Sequence, residues 1–348
     1  MEAAVILDLP NTSVPALTAA LREQRDRVGA MALSRVFTLA ILTSSAEEQR
    51  ALDVAQEATR QHPARIISVV HGRSGGDGRI DGQIRLGGDA GASEMVVLRL
   101  SGELTEHSAS VVLPFLLPDC PVVAWWPGGC PGDVSAHPIG AIARRRITDA
   151  EHTADPGASI VERSRHYSPG DTDLTWTRTT RWRGILAAAL DQAPYEQVRR
   201  VCVIGGTDSA AADLLTAWLG ERLHCPVVRA RTVAGSGLVG VRMERASGPI
   251  DLVRPDGHVA TLVQPGQPER RVPLSRRQEA ECLADELSSL GADDAYGRAL
   301  VDGVPLLADA GMPAGEAVTA GHAPSVDEAR ALSARLADEA DRRRTAGS

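Results

Sequence analysis

Two short apolar runs constrain the fold of this chain more than any other feature. They are RVFTLAILT (Arg35 to Thr43) and RIISVVH (Arg65 to His71). Both are β-branched and of strand length. Between them, Ser44 and Ser45 each have a glutamate three residues on (Glu47 and Glu48), the capping-box pattern of a helix start. The spacing predicts a helix from there to about Arg60, with Leu52 and Ala55 inward. Strand, helix and strand at this spacing make a βαβ unit and predict a parallel sheet.

The rest of the chain fits around that unit. A helix is predicted from Val14 to Arg27, with Leu17, Leu21 and Val28 on one face. The Gly-rich run Gly72 to Gly78 turns into two strands, RIDGQIRL and EMVVLRL, the latter from Glu94 to Leu100. Helix signals between Glu106 and Leu116 precede the strand PVVAWW, and a Gly/Pro-rich loop spans Pro127 to Pro138. Further on, VRRVCVIGG (Val198 to Gly206) reads as a buried strand. Leu214, Leu215, Trp218, Leu219 and Leu223 stripe the next helix. Short alternating strands then form a meander, and Ser275 to Gln278 is a second capping box, before a helix bearing Leu283, Leu287 and Leu290.

The fold class expected is α/β: two mixed α/β domains, the first with a largely parallel sheet, the second with a more antiparallel latter half. The expected division is 1–165, 166–303, and an Ala/Gly-rich tail, 304–348, with a terminal helix carrying Leu332 and Leu336.

Composition excludes several chemistries. The 37 basic residues are all arginine. Without lysine there is no Schiff-base catalysis and no Walker phosphate lysine. A net charge of −8 argues against nucleic acid and anionic membranes as partners. The acidic N-terminus has no basic n-region, and no apolar run nears the roughly 18 residues of a membrane span. A cytoplasmic location is expected. Five cysteines without a CxxC read as free thiols, and no disulfide is expected across Cys120 and Cys130, whose intervening strand holds them apart. The histidines show no HExxH or Cys/His metal spacing, and there is no GxSxG. No catalytic residue, metal or cofactor is expected.

Gly235 to Gly240, GSGLVG, is a literal GxGxxG, but the segment after it alternates and is broken by Gly248-Pro249. It reads as a turn between strands rather than a dinucleotide loop. The turn before the stripe helix, with Gly205, Gly206, Thr207 and Ser209, has the strand–loop–helix context of an anion site. Ordinary helix capping is the alternative.

Four of the five tryptophans fall in PVVAWWPG (Trp125, Trp126) and DLTWTRTTRWR (Trp176, Trp182). With Arg178, Arg181 and Arg183, and with Arg144, Arg145, Arg146 and Asp149 after the Gly/Pro loop, they form a candidate partner-binding set, because Trp and Arg concentrate at the centres of protein contacts. Internal packing is the competing reading, and burial of all four tryptophans would favour it.

In order and spacing, RVFTLAILT, RIISVV, PVVAWWPG, RRITD and DLTWTRTTRWR resemble the OpcA family of glucose-6-phosphate dehydrogenase assembly proteins, from about Arg35 to Leu290. The resemblance implies a non-catalytic protein whose partner is glucose-6-phosphate dehydrogenase. It would support that enzyme's assembly, raise its activity and so favour NADPH production. A sugar-phosphate- or nucleotide-binding enzyme or sensor using the Gly205-Gly206 turn is the alternative.

Overall fold

In the computed structural model the two apolar runs lie side by side as parallel strands, with Phe37 opposite Ala64 and Ser44 opposite His71. The structure describes residues 5–28, 37–60, 62–86, 94–307 and 311–312, together with 327, 330, 331, 334 and 335. Leu332 and Leu336 of the expected terminal helix lie outside the described residues.

The chain divides into two compact units. The first contains Met1–His152, Ser168–Leu174 and Gln278–Ala292; the second contains Thr153–Tyr167, Thr175–Arg277 and Asp293–Ser348. Where the sequence suggests one border near Arg165, the units interleave. A late strand pairs into the first sheet, and a helix more than a hundred residues later packs against it.

That sheet has eight strands: β1 (Val5–Thr12), β2 (Phe37–Ser44), β3 (Ala64–His71), β4 (Arg79–Leu86), β5 (Glu94–Ser101), β6 (Val122–Trp125), β7 (Arg145–Thr148) and β8 (Asp171–Asp173). Their order is β1-β4-β5-β3-β2-β6-β7-β8. All neighbours from β5 to β8 are parallel, while β4 and β1 add an antiparallel edge.

The strands are apolar on both sides because both sides are covered. Leu39, Ile41, Val123 and Trp125 pack with Ala51 and Leu52 of the helix Glu48–Ala58 and with Leu283 and Leu287 of the helix Glu279–Ser288. Ala40, Leu42, Val69 and Trp126 face the other way. They join Leu17 and Leu21 of the helix Val14–Val28, with Val111, Phe115 and Ile139. Adjacent residues of a strand point to opposite faces, so the two neighbouring tryptophans serve different cores.

The second unit holds β9 (Arg200–Gly206), β10 (Val227–Thr232), β11 (Leu238–Glu244), β12 (Ile250–Val253), β13 (Val259–Val263), β14 (Arg270–Pro273) and β15 (Gly311–Met312), in the order β14-β13-β12-β11-β9-β10-β15. β9, β10 and β15 are parallel, and β11 to β14 form the antiparallel meander. Trp182 and Leu186 of the helix Thr180–Leu190, and Leu215 and Leu219 of the helix Ala210–Leu223, cover Val201, Val203, Val241 and Leu252.

Two local expectations change. Glu47 is the N-cap of its helix but makes no side-chain cap; it and Glu48 turn to Arg50 and Arg99 instead. The second capping box likewise does not close, since Gln278, the N-cap there, makes no side-chain cap. A charge-assisted bond to a guanidinium is the stronger alternative for a carboxylate. In GSGLVG, Gly235 and Gly237 take φ of 82° and 62°, and the next element is the strand β11. It is a turn between strands. Among the described residues no helix is long and apolar enough to cross a membrane.

Candidate functional site at the switch point of the parallel sheet

β2 and β6 are neighbours, but the chain winds away from them in opposite directions: β3 and β5 lie beyond β2, β7 and β8 beyond β6. At such a switch point the loops leaving the carboxyl ends part and open a crevice, where doubly wound sheets bind ligands. Here it is a cavity of about 560 Å³, walled by Thr43, Ser44 and Glu47 after β2, His71 at the end of β3, and Trp126, Cys130 and His137 after β6.

This sheet order is the one associated with dinucleotides, so the fit of the residues matters. A dinucleotide needs a glycine-rich turn and a helix N-terminus open to its pyrophosphate. After β2 the chain reads Ser44-Ser45-Ala46-Glu47-Glu48, with two carboxylates at the helix start. Glu47 lies 3.0 Å from Arg50, which also bonds Glu279 at 2.5 and 2.6 Å and the Pro127 carbonyl at 3.0 Å. A Cβ on Gly128 would overlap the Glu47 carboxylate. A pyrophosphate would meet like charge and a filled space. The residues do not fit a dinucleotide.

Both histidines of the crevice are held neutral. Burial lowers the affinity of His71 for a proton, against an opposing hydrogen bond to the Thr43 backbone. Burial also lowers that of His137, and the nearby His71 adds to the effect. His137 Nδ1 accepts from the Ile139 N–H at 3.2 Å, which leaves the ring proton on Nε2. The ring meets Trp126 edge-on, with centroids 5.6 Å apart.

Behind Arg50 the charges continue. His152 Nδ1 is 2.8 Å from Asp149, whose side chain is wholly buried, and 4.0 Å from Glu279. These three converge as metal ligands do. Arg50 already holds both oxygens of Glu279, so the geometry is that of a hydrogen-bonded charge network. The bond to Asp149 raises the His152 pKa above its ordinary 6.5. The folded chain therefore keeps this proton at a pH where the unfolded chain has lost it. The pair's stabilisation is complete below about pH 6.5 and fades as pH rises through the folded value. Melting temperatures from about pH 6 to about pH 8.5 should fall more for the native chain than for His152→Gln. Parallel curves would contradict the assignment.

The Trp/Arg residues of the sequence analysis are mostly internal. Trp125, Trp126, Trp176 and Trp182 are all at most 3% exposed. Trp176 donates to Asp293 at 2.8 Å, packs near Tyr296, and lies under the Arg183 guanidinium at 3.5 Å. Arg254 sits 5.1 Å over Trp182. Buried Arg145 pairs with Glu286, and buried Arg146 with Asp171 and the Pro169 and Ala143 carbonyls. Arg178 and Asp149 are buried too, and Arg183 is half-buried. The buried positions are corrected to packing, since a side chain closed off from solvent offers no surface to a partner. Arg144 and Arg181 remain exposed.

The Gly205-Gly206 turn is also closed on protein. Arg229, 1% exposed, bonds Asp213 at 2.7 Å and the carbonyls of Gly205 and Gly206 at 3.0 and 2.7 Å. The N–H groups of Gly206, Thr207 and Ser209 donate to Gly237, Thr232 and Gly206. Ser209 caps the following helix through Ala212 at 3.3 Å. Asp208 accepts from Gly235, adding negative charge beside the turn. The capping reading accounts for these residues.

Residues 55–165 match the family described as the glucose-6-phosphate dehydrogenase subunit N-terminal domain, and residues 169–300 match its C-terminal domain. The chain belongs to the OpcA family. No curated protein matches it. Among solved structures, an oxidoreductase from Sinorhizobium meliloti is 11% identical with a TM-score of 0.40, covering 79% of this chain and 96% of its own. A Gfo/Idh/MocA family oxidoreductase from Vibrio cholerae is 10% identical with a TM-score of 0.37, over 78% and 98%. A glucose-6-phosphate dehydrogenase in complex with its substrate glucose-6-phosphate is 9% identical with a TM-score of 0.36, over 88% and 99%. Likeness this distant carries no argument about chemistry.

The sequence reading missed Thr43, Glu47, His71 and His137 as one site. They come from three strand ends that only the parallel order brings together. The available signal was position: Thr43, Glu47 and His71 lie at or just beyond the carboxyl end of an apolar strand, while His137 comes from the far end of the Gly/Pro loop after β6.

Proposed function

We infer that this OpcA-family chain is a non-catalytic partner of glucose-6-phosphate dehydrogenase that supports its assembly and raises its activity. The observation that supports this reading is the family match over both 55–165 and 169–300. The crevice agrees with it, since Glu47 stands where a cofactor's phosphates would lie. Partner contact falls to exposed groups such as Ile142 (42% exposed) and Arg144, at the end of the segment that follows the Gly/Pro loop.

Activation works by population shift. The chain binds one state of the dehydrogenase better than another, and the gain is bounded by that difference in affinity. A tenfold shift needs only about 1.4 kcal/mol. The product is more NADPH from the oxidative pentose phosphate pathway. The test is the mass of the purified dehydrogenase with and without the chain, by light scattering on a sizing column. A new, larger species containing both chains is expected. Two unchanged peaks at every ratio would overturn the reading.

A further inference from the structure

We propose that the groove between the helix Thr180–Leu190 and the edge strand β14 binds a small apolar carboxylate, a monocarboxylic acid with an alkyl chain.

Strand register makes the groove. β14 is the last strand of the second sheet and pairs with β13 alone. Arg270 stands opposite Leu262, and Val272 opposite Ala260. Residues directly opposite one another share a face of the sheet. Leu262 and Ala260 pack in the core with Trp182 and Leu186 of the helix, so Arg270 and Val272 are on the helix side. The helix contributes Ile185, Ala188 and Ala189, three and four residues apart on one face. Two alanines fill little of the space before β14, and a cavity of about 430 Å³ is left, a size that suits a small ligand.

The polar groups of the lining fix the class of guest. They are Gln192, Arg270 and Arg271, and no carboxylate is among them. Both arginines are exposed, and among the described residues neither side chain has a hydrogen-bond or ion-pair partner. The adjacent Glu269 lies 3.9 Å from Arg330. Gln192 accepts from the Gln267 amide at 2.9 Å through its own oxygen, which leaves its N–H groups to donate. The groove therefore offers donors and positive charge above an apolar floor of Ile185, Leu262 and Val272. A guanidinium receives a carboxylate through two parallel hydrogen bonds, and the floor takes the alkyl chain. A cation of the same shape would meet like charge. Acetate would leave the floor unmet.

The test is calorimetric titration of the whole chain with octanoate, beside octylammonium and acetate. The dehydrogenase is absent, so the result is separable from the partner reading. Saturable binding of octanoate alone is expected. Arg270→Gln removes the guanidinium at an exposed position and should weaken binding about tenfold, the size of one charge-assisted hydrogen bond. Ala188→Phe, also at an exposed position, fills the groove without touching the charge and should abolish binding. The proposal fails if octanoate does not bind, if octylammonium or acetate binds as well, or if either folded variant keeps the native affinity.

Discussion

Arg229→Met is expected to lower the unfolding free energy by about 3–5 kcal/mol, the usual result of breaking a buried pair by removing one partner. Arg229 is 1% exposed and joins Asp213 to the carbonyls of Gly205 and Gly206. Its loss leaves a carboxylate whose side chain is 7% exposed with only the distant Arg231 at 4.0 Å, together with carbonyls that have lost a donor. Burial lowers the arginine's own pKa, and the ion pair with Asp213 works against that desolvation. The double variant Arg229→Met with Asp213→Leu should therefore recover much of the loss, because an apolar pair removes the unpaired charge. Urea unfolding of the three proteins measures this. A single variant within about 1 kcal/mol of native would contradict the account.

Trp176→Ala is expected to cost about 3–5 kcal/mol, the range for truncating a buried aromatic. Three partners depend on the indole: Asp293 through its N–H, Arg183 over its face, and Tyr296 beside it. Phenylalanine keeps the ring face and loses the N–H, so Trp176→Phe should cost less, with Asp293 still accepting from the Ala295 and Tyr296 N–H groups. If Trp176 were a contact site, the alanine variant would stay folded and lose only the partner. A native melting temperature with lost dehydrogenase binding would sink the packing assignment.

The parallel sheet was legible because its central strands β2 and β3 are largely apolar, as doubly covered strands must be. RVFTLAILT and RIISVVH needed nothing but length and β-branching. The antiparallel meander of the second unit was legible from the alternation of its short strands. Three things were not. The interleaving of the units was hidden because no local pattern says that β8 pairs with β7 or that Leu283 packs beside Leu39. The role of the tryptophans was hidden because Trp and Arg suit cores and contacts equally, and only burial separates the two. The crevice was hidden because Thr43, Glu47, His71 and His137 have no sequence spacing in common. The first capping box failed for a different reason: Glu47 and Glu48 found guanidinium partners in Arg50 and Arg99.

The central claim is that this chain acts on glucose-6-phosphate dehydrogenase and carries out no oxidation itself. The most direct measurement is the initial rate of glucose 6-phosphate oxidation by the purified dehydrogenase, titrated with this chain, beside a sample of this chain alone. The account predicts a saturable rise with the dehydrogenase present and no turnover in its absence. A flat titration, or NADPH formation by this chain alone, would contradict it.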